Sequence, residues 1–170
     1  METEANLITL SLELNGQPHR CDIEPGTSLA DCLRDTLRMT SVHLGCEHGV
    51  CGACNVIVDG KVVRSCLTLA AGCEGSAVTT LEGLADAPAQ AMKQAFRRHH
   101  ALQCGFCTPG MMVTACAMQA EAAEWCQRSE DEVRSHLAGN VCRCTGYQGI
   151  VAAVREGLAA ATDSVPEVTV

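Results

Sequence analysis

The chain has 170 residues and carries 12 Lys and Arg against 20 Asp and Glu, for a formal net charge of -8. This length suits one ordinary domain or two small ones. The acidic balance argues against nucleic acid or an anionic membrane as the main partner, because phosphate binding needs clustered basic side chains. No stretch reaches the roughly 18 apolar residues of a membrane span, and no secretory signal precedes the first strand. We therefore expect a cytoplasmic protein.

The first half of the sequence predicts an α+β arrangement, with a helix against a mixed sheet. Residues 7–14 alternate apolar and polar side chains, and the Asn-Gly pair that follows predicts a hairpin whose second strand covers residues 20–23. A helix capped near Thr27 or Ser28 carries leucines every four residues up to position 37. After a cysteine-rich loop, residues 55–69 predict two strands around a tight Asp-Gly turn.

From about residue 84 the pattern becomes helical. Four segments with short connections predict a small helix bundle, and they cover residues 84–100, 108–127, 129–138 and 147–161. Ser129 and Glu132 form a capping-box sequence at the start of the third helix. The change in pattern divides the chain into domains at residues 1–82 and 83–163, and residues 164–170 are expected to form a flexible tail.

Thirteen cysteines are the most unusual feature of the composition. An odd number cannot form a complete set of intramolecular disulfides. In the reducing cytoplasm, clustered cysteines are more often metal ligands than disulfide partners. Eight of them fall into two groups of four, whereas five lie outside both groups and are expected to be buried or incidental thiols: Cys21, Cys32, Cys73, Cys116 and Cys126.

The first group has the spacing C-x4-C-x2-C with a distant fourth cysteine, which is typical of plant-type 2Fe-2S sites. Its members are Cys46, Cys51, Cys54 and Cys66. Cys66 is preferred to Cys73 as the fourth ligand because it follows the predicted hairpin directly. Gly45, Gly49 and Gly52 can turn backbone N–H groups toward the sulfurs of an anionic cluster. A zinc site is the alternative, although zinc usually takes two C-x2-C pairs.

The second group combines C-x2-C with C-x-C, and its members are Cys104, Cys107, Cys142 and Cys144. Both pairs precede predicted helices, whose N-termini present free N–H groups and a positive dipole end to a negative cluster. The spacing matches neither a standard zinc signature nor the plant-type cluster. A metal site is favoured, and a redox-active C-x-x-C pair is the alternative.

Taken together, "GCEHGVCGAC", "QCGFCTPGM" and "GNVCRCTGY" resemble the iron-sulfur small subunits of the xanthine oxidase family of molybdenum hydroxylases. That family includes carbon monoxide, quinoline, isoquinoline, nicotinate and aldehyde dehydrogenases. The resemblance covers roughly residues 6–162. It implies an N-terminal β-grasp, plant-type ferredoxin domain and a C-terminal all-α four-helix-bundle domain, each with one 2Fe-2S cluster. Asn55 departs from the pattern, since many members have Thr there.

The resemblance also implies a place in a larger enzyme. The first cluster would face FAD on a medium subunit, and the second would face molybdopterin, in the cytosine dinucleotide form or another, on a large subunit. Gln103 and Cys144 match positions that lie against the pterin. The chain would pass electrons from molybdenum to FAD while the large subunit hydroxylates an aromatic N-heterocycle, an aldehyde or a similar substrate with oxygen from water. We expect a heterotrimer or a dimer of heterotrimers, with no catalytic residue on this chain.

Two rival functions remain at this point. A stand-alone ferredoxin would need the first cluster and gives no reason for the second. A zinc-stabilised interaction module would have no redox role. His43 and His48 flank the first cysteine group, where a histidine-ligated cluster can be imagined, but four cysteines already fill that site.

Overall fold

The computed structural model describes residues 6–163, so the tail predicted at residues 164–170 lies outside the described residues. Five strands form one mixed sheet in the order β2-β1-β5-β3-β4. The strands are β1 (Ile8–Leu14), β2 (Gln17–Ile23), β3 (Asn55–Val58), β4 (Lys61–Arg64) and β5 (Ala77–Thr79). Neighbouring strands are antiparallel except for β1 and β5, which run parallel.

Both hairpins turn where the sequence predicts them. Asn15 and Gly16 have φ values of 52° and 77°, and Asp59 and Gly60 have values of 48° and 79°. Two successive positive φ values are typical of the type I′ turn, whose twist matches that of the flanking strands. β5 was not predicted, since three residues are too short for a strand pattern, and its pairing with β1 joins positions about sixty residues apart.

The helix that follows β2 is shorter than predicted. The Ser28 hydroxyl caps α1 (Leu29–Asp31) by accepting the Asp31 N–H at 3.1 Å. The chain then continues as a wider π-type turn, Cys32–Thr36, in which the Leu37 N–H donates to the Cys32 carbonyl at 2.9 Å. This segment buries its apolar side against the inner face of the sheet. The core there includes Leu10, Leu14, Leu29, Leu33, Val56 and Val78.

The second half of the chain is helical, as predicted. Its helices are α2 (Ala87–Arg98), α3 (Thr108–Met118), α4 (Ala122–Gln127), α5 (Glu130–His136) and α6 (Gln148–Asp163). The continuous helix predicted over residues 108–127 is interrupted by a single tighter turn, Gln119–Glu121. The capping box is confirmed, because Ser129 and Glu132 each accept the other's backbone N–H.

α3 is the helix that joins the two halves. It is apolar on every side and almost entirely buried, because it packs against β3 and β4 on one side and against α2 on the other. A helix that is apolar all round is stable only when neighbours cover every face. The helices share a second hydrophobic core, which includes Met92, Phe96, Met111, Val133, Ile150 and Leu158. The domain limits at residues 82 and 83 stay a prediction.

Within residues 6–163, no helix combines the length and the apolar character needed to cross a bilayer.

Candidate metal centres

The structure brings the four cysteines of the first group together. Three of them lie in the loop between the π-type turn and β3, and Cys66 lies in a single turn, Ser65–Leu67, directly after β4. Cys66 was expected in the strand that returns from the hairpin. It lies in the turn after that strand instead, and it is beside the loop as expected. The Ser65 hydroxyl donates to the Cys54 carbonyl at 2.6 Å, and this bond fixes the turn against the loop.

Backbone N–H groups surround the first site. The Cys51 N–H points at Cys46 Sγ from 3.4 Å. Hydrogen bonds from the Cys51 N–H, then the His48 N–H, lower the pKa of the Cys46 thiol to about 6. Burial, followed by a hydrogen bond with the Cys54 thiol, raises the pKa of Cys66 to about 11, against the lowering effect of the Gly49 N–H. Several N–H groups that converge on sulfur form an anion-binding nest.

The three loop glycines allow this backbone path. Gly49 and Gly52 have φ values of 81° and 72°, which side-chain-bearing residues rarely adopt. A Cβ at Gly52 would also lie 2.6 Å from the Gly139 carbonyl oxygen. A Cβ at Gly45 would be a tight fit, because it would lie 3.3 Å from Cys51 Sγ and 3.2 Å from the Phe106 ring.

The second group also converges. Cys107 directly precedes α3, and Cys144 lies four residues before the start of α6. The Cys104 and Cys144 sulfurs are 3.6 Å apart. Burial, followed by a hydrogen bond with the Cys142 thiol, raises the pKa of Cys107 to about 12.

The pKa of Cys142 shifts in the opposite direction from that of Cys107. Burial raises its pKa, but hydrogen bonds from the Thr145 side chain and backbone, the Cys144 backbone and the Cys107 thiol outweigh burial and lower it. The Thr145 hydroxyl lies 3.2 Å from the Cys142 sulfur. The second site therefore has its own donors to a thiolate.

Both sites share a pairwise arrangement. The thiols interact two by two, and the four pairs are Cys46–Cys51, Cys54–Cys66, Cys104–Cys144 and Cys107–Cys142. A 2Fe-2S cluster takes two thiolates on each iron, whereas zinc draws four ligands onto one ion. The donor sets therefore fit two-iron clusters better than zinc.

One buried hydroxyl is consistent with a group bound at the second site. Thr108 follows Cys107 directly, and its Oγ1 atom is buried with no hydrogen-bond partner among the described residues. A buried hydroxyl without a partner costs about 1–3 kcal/mol. We expect a cluster sulfur beside Cys107 to be the acceptor for this hydroxyl.

The two sites open into one cleft of about 250 Å³. The first site contributes Cys46 and Cys51 to its wall, and the second site contributes all four of its cysteines. Cys104 and Cys144 are exposed, whereas Cys54 is buried. The second site is therefore the more open of the two toward the surface.

Large apolar side chains lie exposed around both sites. Three flank the first site, namely Val50, Leu67 and Leu69, and three flank the second, namely Leu102, Phe106 and Val141. Their exposed fractions run from 41% to 64%. Contiguous exposed apolar surface is typical of protein interfaces.

The two histidines beside the first site bind carbonyls. His43 Nδ1 donates to the Phe106 carbonyl at 2.7 Å, and its ring stacks on that of Phe106 with centroids 4.9 Å apart. His48 Nδ1 donates to the Cys46 carbonyl. Gln103 is exposed beside Cys104. Its predicted role against a pterin stays a prediction.

The five remaining cysteines stay outside both groups. Cys73, the rival fourth ligand, is buried in the sheet core, where its thiol lies 3.7 Å from the Leu69 carbonyl. Cys21 and Cys32 lie 3.9 Å apart, sulfur to sulfur, in that same core. All thirteen cysteines lie within the described residues, and none is in a disulfide.

The sequence did not predict the polar residues that bond the segments of the two sites to each other, chiefly Arg64, Thr114 and Asn140. The last helix was predicted to begin at residue 147, but Tyr147 precedes α6 with a φ of 66°. Its hydroxyl accepts the Cys142 N–H at 2.7 Å and donates to the Asn140 carbonyl at 2.8 Å. The signal for Asn140 and Tyr147 was their place in "GNVCRCTGY", and Arg64 lies two residues before Cys66, whereas nothing in the sequence marked Thr114.

Two protein families match the chain. The family described as 2Fe-2S iron-sulfur cluster binding domain matches residues 12–85. The family described as 2Fe-2S binding domain matches residues 80–155. Each match contains one of the two cysteine groups.

Several known proteins resemble the whole chain. The small subunit of nicotine 6-hydroxylase from Paenarthrobacter nicotinovorans is 46% identical over 148 residues, which are 86% of this chain and 87% of that protein. Caffeine dehydrogenase subunit gamma from Pseudomonas sp. (strain CBB1) is 48% identical over 147 residues, which are 86% of this chain and 88% of that protein.

Chains in solved structures also resemble this chain, in both fold and sequence. A chain of quinoline 2-oxidoreductase from Pseudomonas putida 86 superposes with a TM-score of 0.83 at 45% identity, covering 93% of this chain and 98% of that chain. The aldehyde oxidoreductase from Desulfovibrio desulfuricans ATCC 27774 superposes with a TM-score of 0.81 at 41% identity. In that comparison 91% of this chain matches only 17% of the other, which is therefore a much longer polypeptide.

Proposed function

The chain belongs to the iron-sulfur small subunits of the xanthine oxidase family of molybdenum hydroxylases, and we propose that it conducts electrons from a molybdopterin centre to FAD. The electron-transfer role follows from the family. The two end points, the ligands and the partner chains are the proposal. The observation that carries it is the pairwise arrangement of eight cysteines in two sites that share one cleft.

The first 2Fe-2S cluster is assigned to two thiolate pairs, Cys46 with Cys51 and Cys54 with Cys66. The Cys51 N–H already points at the sulfur of Cys46. The cluster is negative in both oxidation states, so this N–H group and its neighbours stabilise it wherever it is held. Of its four cysteines, Cys54 is buried and the other three are half-buried.

The second cluster is assigned to Cys104 with Cys144 and to Cys107 with Cys142. Exposure of Cys104, Cys144 and Gln103 supports a place for this site against a pterin on a neighbouring subunit, because a cofactor on another chain can approach only exposed groups. Gln103 would then offer its side-chain amide to the pterin as a hydrogen-bonding group.

When bound, each 2Fe-2S cluster supplies a centre that gains or loses one electron at a potential set by its hydrogen bonds and exposure. The chain itself contributes the thiolates, the N–H donors and the fixed spacing between the two sites. No residue of this chain is assigned a part in bond making, so hydroxylation of an aromatic N-heterocycle, an aldehyde or a similar substrate belongs to a partner.

The partners are a large molybdopterin-binding subunit and a medium FAD-binding subunit, in a heterotrimer or a dimer of heterotrimers. Support comes from the Desulfovibrio desulfuricans enzyme, in which the matching region is one part of a much longer chain. The exposed apolar groups around each site provide two docking surfaces, one per partner. Thirteen free thiols suit the reducing cytoplasm, which is the location we propose.

Purification of the tagged chain from its own host tests this proposal. We expect a molybdenum-containing chain and a flavin-containing chain to copurify with it in fixed ratio, and its clusters to be reduced when substrate of the complex is added without oxygen. A chain that purifies alone with its clusters would instead support a stand-alone ferredoxin. A chain that purifies with zinc would support an interaction module.

A further inference from the structure

The segments that carry the two cysteine groups are bonded directly to each other. The Val141 N–H, next to Cys142, donates to the Cys51 carbonyl at 2.8 Å. The Asn140 side-chain amide donates to the Gly52 carbonyl at 3.2 Å. Both acceptors lie in the loop of the first site, and both donors lie within two residues of a cysteine of the second.

Arg64, the last residue of β4, also forms hydrogen bonds to both of these segments. Its Nε donates to the Gly49 carbonyl at 3.1 Å, and its Nη2 donates to the Gly139 carbonyl at 2.6 Å. Its Nη1 donates to the Asn55 side-chain oxygen. A guanidinium has five donors in a rigid plane, so it can hold three acceptors in a fixed geometry that a lysine cannot reproduce.

A buried chain of hydrogen bonds completes this link. The Asn55 amide donates to the Thr114 hydroxyl at 2.8 Å, and that hydroxyl lies 3.0 Å from Asn140 Oδ1, to which it donates. Asn55, Thr114 and Asn140 are only 3%, 7% and 3% exposed. Buried polar groups that satisfy one another select a single arrangement, because loss of one member leaves others unpaired.

The backbones of α3 and of the first cysteine loop are also in close contact at this place. A Cβ at Gly110, in the first turn of α3, would overlap the Gly52 carbonyl oxygen and lie 2.9 Å from the Ala53 carbonyl oxygen. α3 therefore approaches the first cysteine loop at backbone contact distance, and Cys107 lies at the start of that helix.

We propose that Arg64, Asn55, Thr114 and Asn140, called here the clamp, set the separation and orientation of the two iron-sulfur sites. The inference rests on the proposed function, since it takes both sites to hold clusters. Cys54 and Cys66 belong to or pack on the core of the sheet, whereas Cys142 packs on the core of the helices, so we expect each site to keep its cysteines in place when the clamp loosens. The clamp residues are positioning residues, and they act on the geometry between the sites.

The magnetic interaction between the two reduced clusters reports that geometry without relying on activity. Two neighbouring paramagnetic centres split each other's EPR signals at low temperature, and the splitting depends on their distance and orientation. Thr114→Val keeps the shape of the side chain but leaves the Asn55 amide and the Asn140 oxygen unpaired. We expect its splitting to shift, with both signals and the iron content retained. Thr114→Ser keeps the hydroxyl and should restore the splitting of the parent protein.

Arg64→Lys is the second variant, because it keeps the charge and loses the three-acceptor geometry. The matched control is Arg98→Gln, which removes an exposed ion pair with Glu156 between α2 and α6. Hydrogen exchange supplies a second readout, since the Val141 amide should exchange faster in both clamp variants and not in the control.

The outcomes separate this inference from the proposed function. A shifted splitting in Thr114→Val and Arg64→Lys, absent from Thr114→Ser and Arg98→Gln, supports the clamp. Unchanged splitting in both clamp variants, with two intact signals, overturns the clamp and leaves the proposed function standing. A parent protein without two cluster signals overturns the proposed function itself.

Discussion

The Asn140 side-chain amide donates a hydrogen bond to the carbonyl oxygen of Gly52 across 88 positions of sequence, at 3.2 Å. One residue lies two positions before Cys142, and the other directly follows Cys51. Together with the bond from the Val141 N–H to the Cys51 carbonyl, it joins the loop of the first site to the segment of the second. The proposed clamp is built around this bond.

Substitution of one ligand should affect one site. Cys144→Ser removes a proposed ligand of the second cluster, so we expect the second EPR signal to be lost or altered while the first keeps its shape. The measurement is EPR of the anaerobically reduced protein, together with its iron content. Cys126→Ser is the matched control, because Cys126 is exposed and lies outside both groups. Loss of both signals in Cys144→Ser would show that the two sites do not assemble independently.

The unpartnered hydroxyl of Thr108 should affect the potential of the second cluster. A hydrogen bond to a cluster sulfur favours the more negative, reduced state. Thr108→Val therefore lowers the midpoint potential of the second cluster, and Thr108→Ser leaves it near that of the parent. A redox titration followed by EPR measures the midpoint potentials of both clusters in one sample, so the potential of the first cluster serves as an internal reference. An equal potential in Thr108→Val and the parent would refute this hydrogen bond.

The close approach of α3 to the first loop predicts a steric effect. Gly110→Ala forces a Cβ against the Gly52 carbonyl. Overpacking of this kind costs about 1–3 kcal/mol, which exceeds the gain of at most about 1 kcal/mol in helix propensity. We expect a lower free energy of unfolding and a reduced iron content at the first site. Gly72→Ala, where a Cβ would meet open space, should change stability by no more than about 0.5 kcal/mol.

The capping box of α5 gives a pH dependence with a definite sign. The Ser129 N–H, then the Arg128 guanidinium, lower the pKa of the Glu132 carboxyl from 4.5 to about 2. Because the folded pKa is below the unfolded one, this interaction stabilises the fold above about pH 4.5 and is lost as the pH falls from there toward 2. Glu132→Gln should therefore lower the unfolding temperature at pH 7.

The difference in unfolding temperature between the parent and Glu132→Gln should shrink as the pH falls below about 4.5. Thermal unfolding followed by circular dichroism at successive pH values gives the unfolding temperature of both proteins. A difference that stays constant across this range would mean that the charge of Glu132 contributes nothing to the cap.

Local patterns in the sequence predicted most of the fold. The alternation before Asn15, the two turn pairs and the capping box at Ser129 each depend on neighbours within a few residues, and the structure confirms all of them. β5 and the turn that interrupts the helix after Met118 could not be predicted. The first depends on pairing with a distant strand, and the second depends on how α4 packs against α6.

Some features of the candidate site could likewise be predicted from the sequence, whereas others depend on the fold. Spacing alone grouped the first four cysteines, because they match the plant-type intervals, whereas the second four were assigned to a cluster through the family resemblance. The way they pair, as in Cys104 with Cys144, depends on the fold, and so does the clamp. Thr114 shows this most clearly. In sequence it is one small polar residue in an apolar helix, and only the approach of Asn55 and Asn140 gives its hydroxyl a role.

The most direct test of the account is the metal content of the anaerobically purified protein, combined with EPR after reduction. Two 2Fe-2S clusters predict about four iron atoms and about four acid-labile sulfides per chain, with two distinguishable signals. Iron near two per chain with a single signal, or zinc in place of iron, would contradict the assignment of both sites.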